Sequence, residues 1–192
     1  FNLSFEKELE SIGMEEDKLI TEMRDQAQLI APQILPQLTK IFGEYEVFSV
    51  EEQLYEKVND SDTGYNFKGF IDLVIRTNDG KFHIIDWKTC SWGWDAKKRS
   101  DKYITYQLTL YKKFWCQKYD IDPKLVETHF ALLKRTAKKD NVEIFRVTSG
   151  PRKVENATKL LTTALVHISK QNHVKDRRSC QGCEFYKTEH CK

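Results

Sequence analysis

Apolar residues along the chain change their period several times, and each change marks an element. Residues 5–31 are rich in Glu, Leu, Ile, Met and Gln, and Ile20, Met23, Ala27 and Ile30 fall near one face of a helix. Pro32 and Pro36 predict a kink or short break before Leu38–Phe42. From Tyr45 the pattern "YEVFSVEEQLYEKV" alternates as a strand does, and 59–64 is a polar loop. Phe67–Arg76 and Lys81–Trp87 read as strands around the turn Asn78–Gly80, "NDG", a strong hairpin signal. Ser91–Asp101 is polar and predicts a loop. Beyond it, Ile104, Leu108, Tyr111 and Trp115 recur at helical spacing. Leu125–Leu133 and Val142–Val147 are further strands, Pro151–Gln171 is a helix, and a cysteine-bearing tail follows. This order predicts an α/β domain, a mixed sheet covered by helices, over residues 1–178, with 179–192 as a tail of the same domain.

Composition adds little to that picture. The 192 residues are 40% hydrophobic and suffice for one sizeable core. With 31 basic against 29 acidic residues the net charge is only +2, so a nucleic-acid partner has to show itself as local clusters. No apolar run approaches the roughly 18 residues of a membrane span. The chain opens on Phe1 without a secretory leader pattern, so the expectation is a trimmed chain or one part of a longer protein, intracellular, cytoplasmic or nucleoid-associated, of bacterial or viral origin. Five cysteines, unevenly placed, do not form a disulfide scaffold.

The chemistry sits in "KGFIDLVIRTNDGKFHIIDWKT", where Asp72, Asp86 and Lys88 interrupt apolar strands. A charge kept in such a place needs a partner or a metal. Asp72 and Asp86 meet across the hairpin if the register sets them opposite, and Asp86 and Lys88, two apart, share a face. Facing carboxylates repel until something neutralises them, and oxygen ligands of this kind suit Mg2+ or Mn2+. A lysine beside them orients or deprotonates a water, or stabilises charge on a phosphoryl group. The bland alternative is an ordinary Asp86–Lys88 pair at a strand end. The apolar neighbours "GFI" and "HII" weigh against it.

Gly69 and Asp72, then the hairpin, then Asp86, Lys88 and Thr89, then Gln107 and Tyr111 on a helix form an ordered set. In this the chain resembles the PD-(D/E)XK nuclease superfamily. More narrowly it resembles the RecB-type exonuclease domain, also seen in CRISPR adaptation exonucleases and the mitochondrial genome maintenance exonuclease. The resemblance spans about Val47 to Arg135 and implies a restriction-endonuclease-like mixed central sheet flanked by helices. It implies metal ligation by Asp72, Asp86 and the Trp87 carbonyl, with Lys88 acting on the attacking water. It also implies a Glu on the preceding strand, for which Glu51 fits best and Glu52 competes. Gln107 and Tyr111, four apart, share a helical face, which in the family lies over the active site. Many relatives carry a metal-binding His in the first helix. Residues 1–42 hold none, so Glu22, Asp25 or water fills that role, or nothing does.

Basic and aromatic residues cluster after the hairpin. Trp92, Trp94, Lys97, Lys98 and Arg99, with Lys134 and Arg135 from "LLKRTAKKD", are candidate contacts for a single strand, rings for bases and cations for phosphates, although Trp92 and Trp94 equally suit capping the core. Lys138, Lys139, Arg152, Lys153, Lys175, Arg177 and Arg178 extend the basic surface. Cys180, Cys183 and Cys191 have metal-ligand spacing. Several RecB-type nucleases bind a 4Fe–4S cluster with one early and three late cysteines. No Cys precedes Cys90, so the early ligand is expected upstream of Phe1; the alternatives are Zn2+ with His190, or no metal. Cys90 and Cys116 read as buried thiols. The expected function is a divalent-metal-dependent DNA nuclease, an exonuclease on single strands or free ends in recombination, repair or replication, with a helicase or recombination partner. An endonuclease on RNA or branched DNA, and an inert nucleic-acid-binding module of a larger helicase–nuclease, are the alternatives.

Overall fold

A computed structural model describes residues 2–14, 17–58, 64–172 and 179–191. The elements are α1 (Asn2–Ile12), α2 (Lys18–Phe42), β1 (Tyr45–Lys57), β2 (Asn66–Thr77), β3 (Phe82–Cys90), α3 (Ala96–Ser100), α4 (Lys102–Tyr119), β4 (Val126–Lys134), β5 (Val142–Val147) and α5 (Pro151–Ser169). The chain divides into two compact units, Phe1–Ala157 and Thr158–Lys192, with the division inside α5. Most of the loop expected at 59–64, and the basic residues Lys175, Arg177 and Arg178, lie outside the described residues.

In the first unit a five-stranded sheet runs in the order β1-β2-β3-β4-β5. Its one parallel pair is β3/β4; the other neighbours are antiparallel. Parallel neighbours need a crossover, and α3 and α4 supply it. Ile30 and Leu38 of α2 pack on Leu73, Ile75, Ile85, Ala131, Val142 and Ile144 on one face. On the other, α4 buries Leu108, Phe114 and Trp115, with Phe114 stacked on Phe67 at 4.3 Å and Trp115 tilted on Phe82 at 5.1 Å. The result is the expected α/β architecture, a mixed sheet between helices.

Three local expectations differ from what forms. The first helical stretch is interrupted at Gly13, which takes φ +64°, and restarts where Asp17 accepts the Ile20 N–H at 2.8 Å as an N-cap. Of the kink or short break expected at Pro32 and Pro36, no break forms: α2 runs from Lys18 to Phe42. The two prolines are four apart on the exposed stripe that also carries Gln28. The carbonyls of Gln28 and Pro32, which lose their N–H partners, therefore face the solvent side and are left to water. Within the expected loop Ser91–Asp101, α3 forms because Asp95 caps the Lys98 N–H at 2.7 Å.

Glu52 ties β1 to α4. It accepts from the Ser49 hydroxyl and from Trp115 Nε1 at 3.1 Å, and Lys118 Nζ lies 2.8 Å away. Burial raises its pKa, but Lys118, Ser49, Tyr119 and Trp115 together outweigh burial and hold the carboxyl below its ordinary range. A depressed carboxyl stabilises the fold above its ordinary pKa, and that contribution fades as pH falls through the depressed value. Glu52→Gln is expected to cost about 2 kcal/mol at neutral pH. In urea titrations across pH, the gap to the parent should close as the solution becomes acidic.

Candidate active site

The sheet forks where the acids sit. β2 and β3 pair from Arg76↔Phe82 to Leu73↔Ile85, and the pairing stops there. Beyond that point β2 stays with β1 as far as Lys57↔Asn66, while β3 stays with β4 as far as Cys90↔Lys134. Asp72 and Asp86 are the next residues out, one on each prong. The Trp87 N–H, freed from the ladder, donates to Asp72 Oδ2 at 2.6 Å. The carboxylate thus replaces the missing backbone acceptor, and its own position is fixed.

Asp86 is only 2% exposed. Burial pushes its pKa up and Asp72 adds to that, against the opposing pull of Lys88. Lys88 Nζ lies 2.8 Å from Asp86 Oδ2, close enough for an ion pair. The angles fall short of a hydrogen bond, so this buried oxygen has no well-aligned donor. A half-neutralised carboxylate pair with an undersatisfied buried oxygen is the donor set a hard divalent cation takes. Asp72 and Asp86 would hold such an ion.

Of the two candidate glutamates, Glu52 is committed to Ser49, Trp115 and Lys118. Glu51 is exposed and falls across from Asp72, between the pairs Val50↔Leu73 and Glu52↔Ile71. Its φ of +50° is strained for a side-chain-bearing residue, and strain of this kind collects at functional sites. Gly69 explains itself: a Cβ there would sit 2.7 Å from Tyr111 Cε1. The Tyr111 ring lies against the bare strand, and its hydroxyl accepts from Gln107 Nε2 at 3.1 Å. Glu22 is exposed beside Lys18, and Asp25 is exposed. The α2 residues that face Thr89 and Arg135 across a cleft of about 400 Å³ include Met23, Gln26 and Ile30.

The two basic segments meet past the end of β3. The Arg135 N–H donates to the Cys90 carbonyl at 2.8 Å, and the Thr136 N–H to that of Ser91 at 3.1 Å. Trp92, Lys97, Lys98 and Arg135 are exposed. Trp94 is not a free stacking platform: it is 8% exposed and packs on Phe130 and Phe145, with Lys98 over its ring. Arg99 and Lys134 both lean on Glu143, at 2.5 and 3.5 Å, a tether the sequence did not signal. Cys116 is buried and its thiol is pushed up to about 11, an inert group; Cys90 is half-buried. In the second unit, Cys180, Cys183 and Cys191 follow one another through turns. Among the described residues their sulfurs do not gather into a three-ligand group.

The raised Asp86 carboxyl has a measurable consequence. Its folded pKa exceeds the unfolded one, so between the two values stability falls as pH rises. In metal-free buffer at neutral pH, Asp86→Asn is expected to raise the thermal midpoint, measured by calorimetry. A midpoint below the parent's would contradict the strain assigned to this carboxylate.

The sequence matches the PD-(D/E)XK nuclease superfamily over residues 3–188. No curated protein matches it. Among solved structures, a protein of Eubacterium rectale described as a candidate exonuclease superposes with a TM-score of 0.55 at 15% identity, over 88% of this chain and 60% of that one. The protein SSO0001 gives a TM-score of 0.47 at 18% identity, over 95% and 75%. The chain therefore spans 60% of the length of the E. rectale protein.

Proposed function

Because the chain belongs to the PD-(D/E)XK nuclease superfamily, we propose that it hydrolyses phosphodiester bonds in DNA with Mg2+ or Mn2+, as a RecB-type exonuclease on single strands or free ends. The observation that carries this reading is the Asp72–Asp86 pair at the fork of the sheet, with Lys88 2.8 Å from Asp86. Asp72, Asp86 and the Trp87 carbonyl would hold the metal, which would supply a Lewis acid for the phosphate. The Trp87 N–H holds Asp72 in place. Lys88 orients the attacking water and offsets charge growing on the phosphoryl oxygens. Tyr111 and Gln107 present a hydroxyl and an amide beside Gly69, and Glu51 contributes a further carboxylate across from Asp72.

Single-strand binding rests on fewer residues than the sequence suggests. Trp92, Lys97, Lys98 and Arg135 are the exposed groups that bind it. Arg99 and Lys134 shape the loop from Glu143, and Trp94 supports it from the core.

Asp86→Ala and Lys88→Ala are each expected to lower cleavage of end-labelled linear single strands at least about a thousandfold, with circular dichroism unchanged. Mn2+-dependent cleavage retained by either folded variant would refute the site. Circular single strands run in parallel should resist the parent protein. Their degradation would move the chain to the endonucleases, and cleavage of neither form would leave a binding module.

A further inference from the structure

The parallel β3/β4 pair carries a second polar cluster, on the face opposite the acids. His83 and Glu127 are register partners, and His129 lies two residues on, partnered by Ile85. Side chains alternate along a strand, so His83 points away from the face that carries Asp86 and Lys88. His83 Nδ1 and His129 Nε2 are 3.1 Å apart, and Glu127 Oε2 lies 3.9 and 4.0 Å from them. Both imidazoles are buried, and Phe42 shields them with its ring at 4.8 and 5.0 Å.

We propose that His83, His129 and Glu127 form a binding site for one divalent transition-metal ion of the Zn2+ class, separate from the nuclease centre. Two imidazoles and one carboxylate are a Zn2+ donor set with the fourth position left to water. A tetrahedral ion with bonds near 2.0 Å needs ligand atoms about 3.3 Å apart. The imidazole nitrogens already meet that spacing, and a small inward turn of the Glu127 carboxylate completes the triangle. Its two oxygens divide the work. Oε1 faces cations, Arg146 at 3.2 Å and Lys81 at 4.0 Å, while Oε2 faces the histidines.

The surroundings set the tautomers. The Thr77 hydroxyl lies 2.5 Å from Asp79 Oδ1 and donates to it, so it accepts from His83 Nε2–H at 3.2 Å. That leaves a lone pair on His83 Nδ1, aimed at His129. Without metal, His129 Nε2–H fills the gap with a hydrogen bond. On binding, that proton leaves Nε2 for water while Nδ1 takes one up, so the ring stays neutral and both facing nitrogens become donors to the ion. Burial keeps both rings neutral in advance, with His129 held down to about 3. The Asp79–Thr77–His83 chain is the outer support that metal-bound histidines need. A cleft of about 410 Å³ is lined by Phe42, Thr77, Asp79 and His83.

The test uses the full chain carrying Asp86→Asn, Cys180→Ser, Cys183→Ser and Cys191→Ser, which removes the competing ligands. Zn2+ is titrated into chelator-treated protein by calorimetry, and imidazole 15N resonances are followed on the same samples. One equivalent should bind at micromolar concentration or tighter, with the His83 and His129 ring signals shifting together. His129→Gln should abolish this binding, and Glu127→Gln should weaken it about tenfold. Absence of binding, or binding that leaves those two rings unmoved, overturns the proposal. The ring signals need no ligand substitution, so a His129→Gln chain that fails to fold does not rescue it.

Discussion

Two carboxylates held side by side in a sheet, one of them almost dry, are the constraint around which the first unit is arranged. Asp72 and Asp86 repel, and burial makes the charge on Asp86 costlier still. The structure offsets this only in part, with one ammonium and one backbone N–H. The acids sit where the β2/β3 pairing ends at Leu73↔Ile85 and the sheet opens into two prongs. The stability given up at the fork is recovered elsewhere, where Glu52 locks β1 to α4 and the aromatic stack of Phe67 and Phe114 closes that side.

Features written in local pattern were legible in the sequence. The hairpin announced itself through Asn78–Gly80, and α4 through its apolar spacing. The acids were conspicuous because charge is out of place between "GFI" and "HII". Gly69 had a motif but no physical reason until Tyr111 was seen to occupy the space of its missing Cβ. Sequence reasoning failed where the outcome depends on which way an element faces. Pro32 and Pro36 break no helix because both lie on its solvent side. Trp92 and Trp94 look alike in the chain, yet one is exposed and the other is packed on Phe130.

Tertiary pairings left no trace at all. Glu143 gathers Arg99 and Lys134 across 44 and 9 positions, and nothing near Glu143 foretells it. The pattern favoured Glu51 with Glu52 as its competitor, and the partners of Glu52 separate the two. His83 and His129 lie 46 residues apart in unremarkable strands, and the parallel register of β3 and β4 sets them side by side. A long-range register is fixed by packing of the whole sheet, which no short window contains.

The central claim is that a hard divalent cation relieves the Asp72–Asp86 repulsion. Electron paramagnetic resonance of Mn2+ tests it directly, since bound Mn2+ loses the sharp signal of the free ion. With the parent chain, the free-ion signal should drop until the carboxylate pair is filled, and Asp72→Asn with Asp86→Asn should restore it. Equal Mn2+ uptake by the doubly substituted chain would contradict the account.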